Sequence, residues 1–349
     1  MIDGARLLDY LRKKTGAPGL GLAEPPVPVT GGFDTRIYSF HLVGAPPELS
    51  GPLILRVLAA HHDPRRALRE QAIQNALAAQ GYPAPRAPLA SADPAALGAG
   101  FLVMERRPGR PLLERSGLGM AGVLVRAQRR LHGLDAEAVR QAIEAAVPGG
   151  AEAHRVEGQL ALMEARIVRG ALLGLVPALG WLRASRPAVE GPPVVCHGDF
   201  HPQNILVDGR REVTVTGVLD WPNLLFAERA CDVAATRVIL RYAPVGVVSV
   251  PRHLRWLIRA ARAVLVRRFM ASHRRAQPLD QGALRYYEAL ACMRGLVRVA
   301  ENRTAADAQG AAVPTLLDTS RFGERLARRF ATLTGVVPRL PKVKERTAP

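Results

Sequence analysis

The chain has 349 residues, 48% of them hydrophobic and 22% charged, which is enough for two domains with buried cores and excludes a disordered chain. Its apolar stretches are interrupted before they reach the roughly 20 residues of a membrane-spanning helix. The first residues, Met1–Arg6, lack the basic-then-apolar order of a signal peptide. We therefore expect a cytoplasmic protein with no membrane partner.

The formal net charge of +18 raises the question of a nucleic-acid partner. The positive charge is almost entirely arginine, spread along the chain, whereas lysine is confined to both ends, at Lys13, Lys14, Lys342 and Lys344. This spread indicates a compositional bias rather than one binding surface. We expect no nucleic-acid partner, and a basic binder of nucleic acid or of an acidic protein remains an alternative.

The N-terminal part of the chain predicts a helix followed by a β-hairpin. Residues 5–14 have the apolar spacing of a short amphipathic helix, and a stretch rich in proline and glycine ends it. Residues 29–42 read as a glycine turn that leads into an alternating strand, and residues 53–57 read as a second strand. The two strands predict an antiparallel hairpin.

A second helix and a third strand follow. Asp63 and Pro64 predict a helix start, with an acidic N-cap and proline in the first turn, and the helix should end before Gly81. The apolar segment 101–104 predicts a strand. The stretch Arg106–Pro111 breaks that strand, and we place a domain boundary there, after residue 107.

The rest of the chain predicts mainly helices, around one short hairpin at 205–207 and 213–219 with a turn at Asp208-Gly209. Apolar periodicity places further helices at 152–184 (as an interrupted pair), 226–241, 252–275, 279–303 and 320–333. The predicted organisation is an α+β fold with a strand-rich lobe at 1–107, a helical lobe at 108–338 and a basic tail at 339–349.

The chemistry of the chain is concentrated in residues 194–207, VVCHGDFHPQNILV, where a polar loop separates two apolar strands. Asp199 and Asn204 lie five positions apart, which is the Asp-to-Asn spacing of a kinase catalytic loop, and Asp220 ends the next strand, GVLDW. A carboxylate can act as a base, and carboxylate and carboxamide oxygens suit Mg²⁺. Asp and Asn also form turns, so Asp199 alone fits a structural role equally well. The ordered set favours a site for Mg²⁺ and nucleotide phosphate.

The segments HGDFHPQNIL and GVLDW together resemble the signature of the aminoglycoside phosphotransferase and choline kinase family, whose fold is related to that of protein kinases. The resemblance extends from about Gly31 to Ala235. It implies a bilobal protein-kinase-like fold, with a small antiparallel-sheet lobe and a large, mostly helical lobe. It also implies transfer of phosphate from ATP, with GTP as an alternative donor, to a hydroxyl of a small molecule with the help of Mg²⁺.

The resemblance also implies roles for the loop residues. Asp199 would be the catalytic base, and Asn204 and Asp220 would hold Mg²⁺. His197 would brace the loop, whereas His201 would either position phosphate or substrate or serve as a second brace. Asp232, in ACDVA, would support the loop by hydrogen bonds.

In the small lobe, Gly31 and Gly32 would cover the nucleotide phosphates, because glycine lets backbone N–H groups approach a phosphate closely. The family position that usually carries lysine is Arg56, since no lysine lies between Lys14 and Lys342. Arginine keeps the charge but presents a broad fork. Glu70, on the following helix, would be its ion-pair partner, unless it is an ordinary solvated helix charge.

The segment Met104–Gly109 resembles the hinge of the family. Adenine would stack near Met104 and bond backbone groups of Glu105 and Arg107. Family membership does not identify the acceptor, which ranges over aminoglycosides, macrolides, choline, sugars and amino alcohols.

Scattered acids and a strongly basic chain disfavour a polycationic acceptor. A choline site needs an aromatic cage, for which Tyr286, Tyr287 and Trp256 are the few candidates. The acceptor stays open, and a nucleotide-binding relative without catalysis is a further alternative.

Overall fold

The computed structural model describes residues 2–29, 35–115, 119–188, 191–209, 212–244, 255–308 and 321–342. The chain forms two compact units, each built from separate stretches of sequence. The first contains Met1–Arg115, Leu134–Ala151 and Pro202–Pro222, and the second contains Ser116–Gly133, Glu152–His201 and Asn223–Pro349. The boundary that we placed after residue 107 stays a prediction. Within the described ranges, no helix has both the length and the apolar character needed to cross a bilayer.

In chain order, the strands are β1 (Gly21–Leu22), β2 (Val27–Pro28), β3 (Thr35–Phe40), β4 (Leu42–Val43), β5 (Leu53–Leu58), β6 (Leu89–Ser91), β7 (Phe101–Glu105), β8 (Arg110–Pro111), β9 (Val194–Cys196), β10 (Ile205–Asp208), β11 (Thr214–Val218) and β12 (Leu225–Ala227). The α-helices are α1 (Gly4–Thr15), α2 (Arg66–Ala79), α3 (Pro94–Leu97), α4 (Met120–His132), α5 (Ala136–Ala146), α6 (Val156–Arg169), α7 (Val176–Ala184), α8 (Arg229–Tyr242), α9 (Arg255–Ala276), α10 (Gln281–Ala308) and α11 (Phe322–Thr334).

The main sheet of the first unit is antiparallel, with the strand order β2-β3-β5-β7-β6. Side chains alternate between its two faces. Leu55 and Val103 pair across β5 and β7 and lie in the same buried cluster as Leu7 and Leu11 of α1. The intervening residues of β5 therefore point to the other face, and Arg56 is one of them. The predicted hairpin of β3 and β5 is confirmed.

Helix α2 begins later than we predicted. Its first residue is Arg66, and Asp63 does not cap it. Instead, the Asp63 carboxylate accepts the backbone N–H of Arg65 at 3.0 Å, so Asp63 and Pro64 form an Asx turn before the helix. The helix ends at Ala79, and Gly81 follows with a left-handed φ of 77°, as its position after the helix suggested.

A second sheet of the first unit joins β8 to the hairpin of β10 and β11. The hairpin was predicted, but its pairing with β8 was not. Gly109, just before β8, allows the backbone at β8 to lie close to β10. A Cβ at this position would lie only 2.8 Å from the carbonyl oxygen of Val207. The hairpin carries Asn204 immediately before β10 and Asp220 shortly after β11.

The second unit is mainly helical, with β9 and β12 forming a two-stranded antiparallel sheet. Helix α10 packs against α8 and α11. The predicted helices 226–241, 252–275, 279–303 and 320–333 correspond to α8, α9, α10 and α11, with ends shifted by a few residues. The predicted positions 252–254, 320 and 343–349 lie outside the described residues.

Two of the three aromatic residues considered for a choline cage are buried, whereas Trp256 is exposed. Tyr286 and Tyr287 are 2% and 1% exposed, and their rings meet edge to face with centroids 5.2 Å apart. Tyr286 also stacks on Trp181. These rings therefore belong to the core of the second unit.

Candidate active site

Arg56 is the centre of an ion-pair cluster in the first unit. Its Nη1 donates to Oε2 of Glu70 and its Nη2 donates to Oδ1 of Asp220, both at 3.0 Å. The Glu70 side chain is 1% exposed, so its charge requires a partner. The predicted pair of Arg56 and Glu70 is therefore present. Asp220 joins it from a position 164 residues further along the chain.

A second arginine completes the environment of Glu70. Arg66, one turn earlier on α2, donates its Nε to Oε1 of Glu70 at 3.0 Å. Each carboxylate oxygen of Glu70 thus accepts a charge-assisted hydrogen bond from a different arginine. Our sequence reasoning missed Arg66, although its spacing of four residues from Glu70 is the usual signal of a helical ion pair.

The backbone presents Asp220 in a strained conformation. Its φ of 69° is in the left-handed region, which costs a residue other than glycine roughly 1–2 kcal/mol. The buried Trp221 follows it, and the indole N–H donates to the carbonyl of Val218 at 2.9 Å. The side chain of Asp220 is still 40% exposed. The packing of Trp221 therefore holds the backbone while the carboxylate stays accessible.

Asn204 is tied to the same strand end. The carbonyl of Asn204 accepts the backbone N–H of Leu219 at 2.8 Å, so Asn204 lies beside the residue that precedes Asp220. In the parts of the chain that the structure describes, no three His, Cys, Asp or Glu side chains gather as a metal cluster. One carboxylate and one carboxamide are the limited oxygen set with which proteins hold Mg²⁺ together with phosphate and water. The residues present fit that ion.

An apolar strip lies on the Arg56 face of the main sheet. Ile54 pairs with Met104 across β5 and β7, and Ile37 pairs with Arg56 across β3 and β5. All three apolar side chains are half-buried. Our sequence reasoning named Met104 but missed Ile37 and Ile54. The alternation within LILRVL was the available signal, since it places Ile54 and Arg56 on one face.

The end of β7 and the residues that follow it are held by contacts within the first unit. The backbone N–H of Glu105 donates to the carbonyl of Arg86 at 2.8 Å. Arg107 donates its Nε to the carbonyl of Thr216 at 2.9 Å, and its Nη1 lies 3.3 Å from Oε2 of Glu105. These contacts fix the segment that resembles a hinge. Gly31 and Gly32, the predicted phosphate-covering residues, lie outside the described residues.

In the second unit, the loop after β9 carries His197, Asp199 and His201. Asp199 donates its backbone N–H to Nδ1 of the buried His197 at 3.2 Å. The Asp199 carboxylate is 28% exposed, and its Oδ1 lies 3.6 Å from Nε2 of His201. That separation is too long for a hydrogen bond but allows an ion pair when His201 is protonated.

Asp232 supports this loop from α8. Its Oδ1 accepts the backbone N–H of Gly198 at 2.9 Å, and its Oδ2 accepts from Gln128 at 2.9 Å and from His132 at 3.1 Å. Burial alone would raise the pKa of the Asp232 carboxyl. The hydrogen bond and charge of His132, the charge of His197 and the Gly198 N–H outweigh burial and hold the pKa below its usual value.

Gln128, which donates to Asp232, makes two further hydrogen bonds. Its amide nitrogen also donates to Thr236 at 3.1 Å, so its oxygen must accept from Nε2 of His273 at 3.0 Å. Gln128, His132 and His273 were missed by our sequence reasoning. Gln128 and His132 are four apart on α4, but nothing local indicates a partner about 100 residues away.

Arg294 of α10 holds the other side of the loop turn. Its Nη1 donates to the Gly198 carbonyl at 3.2 Å and its Nη2 donates to Oδ1 of Asn223 at 2.8 Å. Burial lowers the pKa of the guanidinium, while nearby acids, Asp199 among them, act in the opposite direction. Arginine stays protonated at any physiological pH, so Arg294 places a fixed positive charge near Asp199. Sequence reasoning missed it as well.

The structure thus groups the predicted residues in two sets. Within the first unit, Arg56 contacts both Glu70 and Asp220. Asn204 bonds the backbone N–H of Leu219, the residue before Asp220. Within the second unit, the loop of His197, Asp199 and His201 is held by Asp232.

Comparison with known proteins identifies the family. A model described as the phosphotransferase enzyme family matches residues 27–243, which is more than half of the chain. A search of curated proteins found no match. Among solved structures, a candidate aminoglycoside phosphotransferase from Ralstonia eutropha has a TM-score of 0.62 at 16% identity, covering 97% of this chain and 100% of its own.

Two further solved structures agree on the fold. A thermostable mutant of aminoglycoside phosphotransferase APH(4)-Ia has a TM-score of 0.55 at 16% identity, with 95% of this chain and 98% of that chain covered. An ethanolamine kinase from Plasmodium vivax has a TM-score of 0.52 at 11% identity, with 90% and 82% covered. The predicted α+β, protein-kinase-like fold is confirmed. The chain belongs to the phosphotransferase enzyme family.

Proposed function

We propose that this protein transfers the γ-phosphate of ATP to a hydroxyl group of a small molecule. The observation that carries the proposal is the double contact of Arg56, which binds Glu70 and Asp220 at 3.0 Å each. Kinases need a cation paired with a helix carboxylate and a second carboxylate that holds the metal. Arg56, Glu70 and Asp220 supply these groups on β5, on α2 and after β11.

In this proposal the first unit binds the nucleotide. Ile37, Ile54 and Met104 offer an apolar surface for adenine. A contact through Glu105 uses its carbonyl, because its N–H already donates to Arg86. Asn204 and Asp220 hold Mg²⁺, which supplies neutralisation of the phosphate charge when bound. Gly31 and Gly32 stay predicted contacts to the phosphates.

The second unit supplies the base. The acceptor hydroxyl gives its proton to the Asp199 carboxylate, its oxygen bonds the γ-phosphorus, and the bond to the bridging oxygen breaks to release ADP. Arg294 places a positive charge near the Asp199 carboxylate. Asp232 fixes the Gly198 turn. His197 braces the loop from inside, and His201 is placed to orient substrate or phosphate.

The choice of acceptor class is supported by the structural relatives. APH(4)-Ia was crystallised with the ATP analogue AMP-PNP and hygromycin B, and another relative is an ethanolamine kinase. Hygromycin B and ethanolamine both carry hydroxyl groups. We therefore propose a hydroxyl acceptor, with ATP as the donor and GTP as an alternative.

The test is phosphate transfer from labelled ATP or GTP, with Mg²⁺, to a panel of aminoglycosides, macrolides, amino alcohols and sugars. Asp199→Asn should lower the rate by about 10²–10⁴-fold, the usual contribution of a positioned base. Asp208→Asn is the matched control, because Asp208 is exposed at the end of β10 and its carboxylate accepts only the N–H of Gly209 among the contacts described. Unchanged transfer in Asp199→Asn refutes its role. ATP binding without transfer to any acceptor would favour a non-catalytic relative.

A further inference from the structure

A small basic cavity lies in the second unit, and its lining includes no residue of the loop that carries Asp199. Its volume is about 160 Å³, and Arg129, His132, Arg229 and His273 contribute its ionisable lining. Among the described residues that line the cavity, none is an acid. Neither arginine side chain makes a hydrogen bond or ion pair within the described ranges. Two cationic side chains thus share a cavity whose described lining contains no acid.

The position of Arg229 is the unusual feature. Arg129 lies in the last turn of α4, where a cation is favoured by the helix dipole and needs no other explanation. Arg229 is the first residue of α8, where the same dipole disfavours a cation. Burial lowers the pKa of Arg229, and the charge of Arg129 lowers it further. The charge of Arg229 is therefore disfavoured both by the dipole of α8 and by the charge of Arg129.

One histidine of the cavity, His273, is kept from adding charge. Burial lowers the pKa of His273 to about 4, helped by the charges of His132, Arg129 and Arg229. Near neutral pH, His273 is therefore uncharged, and its Nε2 donates to Gln128 at 3.0 Å. A bound anion would relieve the repulsion between the arginines and would favour protonation of His273.

We propose that this cavity binds a phosphate group, either of inorganic phosphate or of a phosphate monoester. Two guanidinium forks are the groups that bind phosphate oxygens best. Water occupies about 30 Å³ per molecule, so the cavity has room for a phosphate group in place of several waters. The ends of α4 and α9 near the cavity carry partial negative charge of about half a unit each, which the two full arginine charges outweigh.

The cavity is connected to the loop of the candidate base. His132 and Gln128 both donate to Asp232, and Asp232 accepts the N–H of Gly198, beside Asp199. Phosphate in the cavity would act on groups that are one hydrogen bond from Asp232. The cavity is thus a binding site of its own, and its existence does not depend on the proposed activity.

The test is calorimetric titration with inorganic phosphate and, separately, with glycerol 3-phosphate, in buffer free of phosphate and at constant ionic strength set by sodium chloride. The double variant Arg129→Gln, Arg229→Gln removes both forks. The control is Arg126→Gln, Arg274→Gln, which loses the same charge from α4 and α9 outside the cavity. Arg56→Gln identifies any phosphate bound at the proposed nucleotide site. Thermal unfolding of each variant confirms that it is folded.

We expect saturable phosphate binding in the wild type, in the control and in Arg56→Gln, and a Kd at least about tenfold higher in the cavity variant. The ring resonance of His273, assigned with His273→Gln, should shift with the same Kd. If the monoester binds more tightly than inorganic phosphate, the ligand is a phosphorylated metabolite; the reverse order identifies free phosphate. Equal binding in the cavity variant and the control overturns the proposal, as does the absence of saturable binding in the wild type.

Discussion

At the scale of single residues, Gly198 decides the geometry of the loop. Its φ is 74°, and a Cβ there would collide with the carbonyl oxygen of Asn223. Its N–H and its carbonyl are both used, by Asp232 and by Arg294. Glycine is thus required for the backbone angle and for the close approach of a neighbouring chain segment.

Gly198→Ala should destabilise the protein by about 2–5 kcal/mol, combining the left-handed backbone with overpacking. It should also lower phosphate transfer, because the turn beside Asp199 must move. Gly149→Ala is a suitable control, since Gly149 has a φ of 73° with no atom within 4 Å of the added Cβ. That control should show only the backbone effect, about 1–2 kcal/mol. Denaturant unfolding checks both, and equal losses would contradict the role of Asn223.

His273 predicts a pH dependence of stability. Its pKa is about 4 in the folded protein, mainly because of burial, and about 6.5 in an unfolded chain. The unfolded state therefore binds the proton first as pH falls. The contribution to stability is complete above pH about 6.5, declines as the pH falls towards 4, and amounts to about 3 kcal/mol.

His273→Gln should remove that decline while keeping an amide that can donate to Gln128. Unfolding free energies measured at several pH values between 4 and 7 should then fall less steeply in the variant than in the wild type. Parallel slopes would show that His273 is not the group responsible.

At the scale of elements, α2 and β5 are joined by Glu70, which accepts hydrogen bonds from Arg56 and Arg66 at equal distances. The two arginines differ in one respect. Only Arg56 also contacts Asp220, whereas Arg66 belongs to the same helix as Glu70. Arg66 therefore supports only the helix, whereas Arg56 also belongs to the proposed phosphate site.

Arg56→Gln should raise the KM for ATP by about tenfold or more, because a charge-assisted contact to phosphate is lost. Arg66→Gln removes the same charge from Glu70 and should change the KM less than about threefold. Steady-state kinetics with each variant decides the matter. Similar increases in both variants would mean that Glu70, and not Arg56, governs nucleotide binding.

The same elements show what the sequence could reveal. The two predicted hairpins follow from local patterns, and the structure contains both. The pairing of Arg56 with Glu70, which the family resemblance implied, is present as well. Helix α5 was missed although Asp135 caps it and Val139 and Ile143 are buried four positions apart. An acidic N-cap followed by apolar residues four positions apart is a sequence pattern that predicts a helix.

Other features had no local signal. The bond from Gln128 to Asp232 spans 104 residues, and that from Arg294 to Gly198 spans 96. Partners at such separations are chosen by the packing of helices, which a periodic pattern does not specify. The predicted start of α2 failed for a different reason, since Asp63 can cap a helix or form a turn and both use the same residue types.

At the scale of the whole molecule, the proposed roles divide between the two units. Asn204, Asp220 and Arg56 belong to the first unit, and Asp199 belongs to the second. Binding of the nucleotide with Mg²⁺ and the removal of a proton from the acceptor are therefore assigned to different units. Variants in each unit can separate these two steps.

Asp199→Asn should lower the rate of transfer by about 10²–10⁴-fold while leaving the Kd for AMP-PNP with Mg²⁺ within about twofold of the wild type, since its role is limited to the proton. Asp220→Asn should weaken that binding at least about tenfold, the range seen when a residue near a bound metal is lost. In EDTA the wild type and Asp220→Asn should bind AMP-PNP more nearly alike, because the metal that separates them is absent. Calorimetry with and without Mg²⁺ measures each Kd, with Asp208→Asn as the control for a lost surface charge. If Asp199→Asn weakens binding as much as Asp220→Asn, the division of roles between the units is wrong, because both carboxylates would then hold the metal.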